Sequence, residues 1–128
     1  MTIPLWCLLI ATFLPFVWAV VGNVLRQRQF GNMDNNYPRL QQAQMTGIGA
    51  RALAAQQNAW EALAMFTPAV LIAHIQGATA GHAATAAMLF VTMRIAHGFL
   101  YLADRASLRS ISWTVGIGAI IWLFVLAA

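Results

Sequence analysis

The side chains able to do chemistry in this chain are few, and their spacing is more informative than their number. Arg94, His97 and Tyr101 recur at i, i+3 and i+7, which places them on one stripe of a helix, and Arg105 extends that stripe by another turn. Asn58 and Glu61 share a face at i, i+3, with Arg51 two turns before Asn58. Arg109 stands beside Ser110 close to the start of a last apolar run, where a helix N-terminus presents free backbone N–H groups and the positive end of a dipole. Such a place suits an anion. Each group also has an ordinary reading: a lone His on an apolar helix is usually a satisfied structural group, and a boundary Arg often reaches to lipid headgroups. No His, Asp or Glu pair has ligand spacing on a shared face, so the residues indicate no metal site. His74 and His82 lie too far from the Arg-rich segments to join them. Cys7, the only cysteine, cannot form an internal disulfide.

The elements that must position these groups are membrane helices. Only 8% of the 128 residues are charged, where soluble domains carry about 25%, while 61% are hydrophobic and the mean hydropathy is +0.70. That much apolar surface exceeds what one small core can hide, so part of it must face lipid. The net charge of +4 is too sparse for a nucleic-acid-binding stripe, which removes nucleic acid as a partner. Ile3 to about Leu25 carries no charge and, at about 1.5 Å per residue, is long enough to cross a hydrocarbon core of about 30 Å. A cleaved export signal is the competing reading, but a positive leading segment is missing and the apolar run exceeds the usual length. Further spans are expected over about 52–76, 83–103 and 108–127. A polar connection covers 26–51, with Asn32, Asp34, Asn35, Asn36 and Pro38 as turn and helix-stop residues, and a tight turn covers 77–82. The expectation is a single domain over residues 1–128, an all-α four-helix integral membrane bundle.

Arg26, Arg28, Arg39 and Arg51 lie in the long connection and Arg105 and Arg109 after the third span, whereas the turn at 77–82 has no Arg. The positive-inside rule puts both basic segments in the cytoplasm and both termini on the far side. An ionisable group inside a span costs at least about 2.5 kcal/mol on the insertion scale, so Glu61 and Arg94 each need a partner. Both lie about ten residues from the cytoplasmic ends of their helices, roughly 15 Å deep. Matched depth predicts a buried Glu61–Arg94 ion pair, whose role is either to fix helix register or to support a site. Asn58 and His97 also agree in depth, so the stripes of the second and third spans face each other.

With these residues placed, the chain resembles the MAPEG family, the membrane-associated proteins in eicosanoid and glutathione metabolism. The run Ala55-Gln56-Gln57-Asn58-Ala59-Trp60-Glu61, followed by Phe66, is similar to the family's second-helix signature. The run from Arg94 through His97 and Tyr101, then Arg105-Ala106-Ser107-Leu108-Arg109-Ser110, is similar to the third and fourth helices of the microsomal prostaglandin E synthase branch. The resemblance covers most of the chain. It implies a homotrimer with glutathione as cosubstrate in a cytoplasm-facing cleft between subunits. Asn58, Glu61, His97 and Tyr101 would hold the peptide's polar groups. Arg26 and Arg28 match basic positions that meet its carboxylates, Arg109 the Arg that holds the sulfur as thiolate, and Ser110 the hydroxyl beside it. The family likewise pairs the second-helix Glu with the third-helix Arg.

The chain departs from the pattern at three places. The Arg that opens the second-helix signature is Ala54, with Arg51 the nearest cation, so that either Arg51 substitutes or one carboxylate contact is lost; the Pro before Phe66 is Met65; and a Tyr early in the fourth helix is Trp113. These departures point away from specialised eicosanoid synthesis and towards a general detoxifying glutathione transferase or peroxidase acting on lipophilic electrophiles. Two other classes compete. One is a non-catalytic scaffold or lipid-binding protein of the same family. The other is a small proton-coupled exporter, disfavoured because its Glu must be free to titrate whereas Glu61 has an expected Arg partner, and because the Arg94, His97, Tyr101 stripe would repel cationic drugs. Brevity and the lack of sorting signals suggest a bacterial inner membrane, with the endoplasmic reticulum as the second alternative.

Overall fold

A computed structural model describes all residues 1–128. It contains five helices and no strand: α1 (Ile3–Phe30), α2 (Pro38–Ala43), α3 (Gly47–Ile75), α4 (His82–Leu102) and α5 (Ala106–Ala127). The four long helices form the expected bundle, with shifted boundaries. α1 runs to Phe30 instead of stopping near Leu25, because Arg26, Gln27, Arg28 and Gln29 are good helix formers whatever their polarity. It ends at Gly31, whose φ of 76° lets its N–H reach Gln27 O at 2.9 Å. α3 begins at Gly47, five residues before the expected start, and the connection contracts to 31–46 with the short α2 inside it.

α1, α4 and α5 are long and apolar enough to cross a membrane. α3 is as long, at 29 residues, but its first half carries Arg51, Gln56, Gln57, Asn58 and Glu61. That half must therefore face other protein or water. α1 packs on α3 and α4, and α5 on α4 and α3, so α3 and α4 form the middle of the bundle. Small residues bring them together: Ala62, Ala69 and Ala73 of α3 and Ala83, Ala86 and Ala87 of α4 are all buried. Phe66 and Phe90 fill the remaining space as a stacked pair, 3.9 Å between centroids at 16°. Nearer the polar end, Trp18 of α1 lies against Gly98 of α4 and edge-on to Phe99 at 5.4 Å. Outward side chains of α1 such as Trp6, Phe13, Phe16 and Val20 remain exposed, as a lipid-facing helix requires.

Two reverse turns set the register. α3 closes with Ala78 N–H donating to Ala73 O (2.8 Å) and Gly77 N–H to His74 O (3.1 Å), Gly77 having a φ of 78°. α4 closes the same way, Arg105 N–H to Leu100 O (3.0 Å) and Asp104 N–H to Tyr101 O (3.1 Å), but here Asp104 holds the left-handed position at φ 57°. Its carboxylate lies 3.8 Å from Arg51 Nη1, while Arg51 Nε donates to Leu102 O at 3.3 Å. Arg51 thus caps α4 and ties it to the start of α3. Gln29 joins α1 to α3 similarly, donating to Gln44 O (3.3 Å) and accepting from Thr46 N–H (3.1 Å). One end of the bundle therefore gathers Arg26, Arg28, Arg39, Arg51, Arg105 and Arg109. The opposite end holds the termini and the α3–α4 turn, with His82 5.9 Å from Trp122. For Asp104→Gly, relief of the left-handed Cβ offsets the loss of a solvent-exposed ion pair, and stability should stay within about 0.5 kcal/mol of wild type in detergent unfolding. A loss above 2 kcal/mol would show the Arg51 contact to be stronger than its exposure suggests.

Candidate functional site

The centre of the site is Arg94, only 5% exposed in the middle of the protein. Its Nη2 donates to Asn58 Oδ1 at 2.5 Å and to Asn58 O at 3.3 Å, and lies 3.4 Å from His97 Nδ1. Asn58 Nδ2 in turn donates to Glu61 Oε2 at 3.0 Å. The expected Glu61–Arg94 ion pair is therefore corrected: Asn58 stands between the two charges, and Glu61 is exposed on the outer face of α3. Equal depth fixes position along the helix axes, but residues three apart differ by about 60° in direction, and Asn58 has the inward one.

One helical turn on, His97 and Tyr101 meet edge to face at 5.4 Å. The tight α4–α5 turn folds Arg109 back so that its Cζ lies 4.2 Å from the Tyr101 ring centroid, a cation–π contact worth about 1 kcal/mol or more when shielded from water. Asn58, His97, Tyr101, Arg109, Ser110, Trp113 and Thr114 together line an open cavity of about 410 Å³. That volume is within the range of roughly 300–1,000 Å³ that small-molecule sites occupy.

The first turn of α5 differs from expectation. The helix starts at Ala106, with Arg105 at its cap position, and Arg109 N–H already donates to Arg105 O at 2.9 Å. Arg109 therefore contributes its guanidinium and no free backbone donor, because the helix begins at Ala106, about two residues before the expected start. Ser110 Oγ donates to Ala106 O at 3.1 Å and Thr114 Oγ1 to Ser110 O at 2.9 Å, so both hydroxyls offer the cavity acceptors in this arrangement.

Of the residues singled out from sequence, the fold brings Asn58, His97, Tyr101, Arg109 and Ser110 to one cavity, with Glu61 attached through Asn58. It does not bring the other cations there. Arg26 is 3% exposed, donates to Pro38 O at 3.4 Å, and leaves Nε without a partner. Arg28 lines a separate groove with Val20, Asn23, Val24, Gln27 and Met33. Arg51 is engaged at the end of α4, and Arg105 lies with Asp104 in a shallow surface hollow. Trp113 and Thr114 join the lining without having been expected there. The sequence carries a signal for them: Ser110 and Thr114 are i, i+4 and Trp113 is i+4 from Arg109, a polar-sided stripe on an otherwise apolar helix.

The MAPEG family matches residues 3–128. The chain belongs to the MAPEG family. Its four-helix membrane bundle is the MAPEG fold, and members of this family are often glutathione-dependent transferases or peroxidases. No curated protein and no solved structure matches the chain. Glu61 is not paired with Arg94, so that ground against an exporter falls, while the cationic stripe and MAPEG membership still disfavour one.

Proposed function

We propose that the protein is a glutathione-dependent membrane transferase, with peroxidase activity as a second outcome of the same chemistry, acting on lipophilic electrophiles or hydroperoxides. The observation that carries this reading is Arg109, held over Tyr101 at a polar cavity in a MAPEG bundle. A thiol with a pKa of about 8.5 is only a few per cent thiolate at pH 7, and the thiolate is the nucleophile. A lowering of about two units requires roughly 2.7 kcal/mol of preferential stabilisation of the anion, a reasonable contribution from one partly buried guanidinium. The sulfur then attacks the electrophilic carbon, forming a C–S bond as the leaving group departs with its electron pair. Arg109 holds the sulfur, Ser110 lies beside it, and Asn58, Glu61, His97 and Tyr101 orient the peptide.

Arg26, Arg28, Arg51 and Arg105 lie away from the cavity in one chain, so any of them that reaches the glutathione carboxylates does so from a neighbouring copy. This favours a homotrimer with the cosubstrate between subunits. The lipophilic substrate enters from the bilayer and glutathione from the Arg-rich end, taken as cytoplasmic in a bacterial inner membrane, with both termini on the opposite side. Isothermal titration of the purified protein with glutathione tests the reading: saturable binding is expected, and Asn58→Ala should weaken it about tenfold through loss of a charge-assisted network. Absence of saturable binding by the folded wild type would instead favour a non-catalytic scaffold.

A further inference from the structure

A guanidinium has donors and no lone pair, so each polar contact of Arg94 makes its partner the acceptor. His97 Nδ1, 3.4 Å from Arg94 Nη2, therefore turns its lone pair towards Arg94, and the proton of the neutral ring belongs on Nε2. Nε2 makes no hydrogen bond within the chain and, unlike Arg94 Nε, is not sealed from the exterior. The ring that bears it lines the cavity. The same Arg94 nitrogen meets Asn58 Oδ1 and so holds that amide one way round, with Nδ2 directed to Glu61 Oε2. One buried cation thus sets the polarity of two cavity-lining side chains.

We infer that His97 serves the reaction as a neutral hydrogen-bond donor through Nε2–H and not as the base that takes the thiol proton, and that Arg94, placed against His97 Nδ1 and Asn58 Oδ1, is the positioning residue that makes it so. The inference rests on the glutathione reading for its chemical meaning. A donor at this point suits an acceptor of the ligand: a carbonyl, a carboxylate or the thiolate itself. The thiol proton then passes to water, and the sulfur's negative charge is met by Arg109 and not neutralised by His97.

Long-range 15N–1H correlation spectra of histidine-labelled, ligand-free protein read the tautomer directly, the His97 signals being assigned by their loss in His97→Gln. Wild type at pH 7 should show a protonated Nε2 and a bare Nδ1 at His97; a protonated Nδ1, or protons on both nitrogens, overturns the inference. Arg94→Met should give a mixture of tautomers, and an unchanged spectrum in the folded variant would remove Arg94 from its assigned role. Should that variant fail to fold, the wild-type spectrum decides by itself. With glutathione present, His97→Gln, which keeps a donor, should retain the thiolate absorbance and the pH dependence of turnover and bind within about threefold of wild type. His97→Phe should bind roughly tenfold more weakly. Loss of the thiolate signal in a glutathione-saturated His97→Gln would identify His97 as the base. If wild type binds no glutathione while Nε2 is the protonated nitrogen, the proposed function fails and the tautomer assignment stands.

Discussion

Arg109→Ala is expected to lower kcat/KM with a chromogenic aryl halide by about 30–100-fold, and to abolish the near-ultraviolet absorbance of bound thiolate. The size follows from the role. If the guanidinium supplies most of roughly 2.7 kcal/mol of thiolate stabilisation, its loss costs up to a hundredfold in nucleophile concentration at neutral pH. Raising the pH should recover much of the rate, because hydroxide then forms the thiolate that Arg109 no longer favours. Arg109→Lys should recover less than its charge suggests, since an ammonium lacks the planar face that lies over Tyr101. Turnover and thiolate absorbance both unchanged in Arg109→Ala would remove Arg109 from the chemistry. A rate that falls at every pH, with glutathione affinity lost in parallel, would make it a binding residue only.

The second large effect concerns stability. Gly98→Ala is expected to destabilise the bundle by about 3 kcal/mol, the upper end of typical over-packing costs. A Cβ built on Gly98 lies 2.0 Å from Trp18 Cζ2 and 2.3 Å from Cε2, far inside van der Waals contact with a rigid ring. Trp18 has little room to retreat, being only 3% exposed and fixed edge-on to Phe99. α1 and α4 must separate, and His97, the neighbour of Gly98, moves with them. Unfolding in mixed micelles and the emission of the tryptophans report both consequences. Gly118→Ala is the control, since nothing lies within 4 Å of the Cβ it would add. A Gly98→Ala protein within 0.5 kcal/mol of wild type would show that the α1–α4 contact is looser than its geometry. Trp18→Leu in the Gly98→Ala background should restore part of the loss by vacating the contested space.

Much of this architecture was legible in the chain. The apolar runs located four helices, and Gly77 marked the turn between α3 and α4, because these depend on local hydropathy and local backbone freedom. The stripe Arg94, His97, Tyr101 and its counterpart at Asn58 were legible for the same reason: helical period and rise place side chains along an axis without knowledge of neighbours. The end of α1 was less so. Hydropathy marks where a helix leaves an apolar solvent, whereas the helix itself continues through Arg26–Phe30 until Gly31 breaks it.

Sequence alone determined that the chain is a helical membrane protein of the MAPEG kind, with cations at one end and a polar stripe at matched depth on two helices. Only the tertiary structure decided that Asn58 and not Glu61 meets Arg94, that Arg26 is buried beneath Pro38, and that Arg28, Arg51 and Arg105 point to separate surfaces. Position along a helix follows from a fixed rise per residue. Direction around it is set by how neighbouring helices interlock, as Trp18 does in the notch at Gly98, and that is a sum of many weak contacts between residues far apart in the chain.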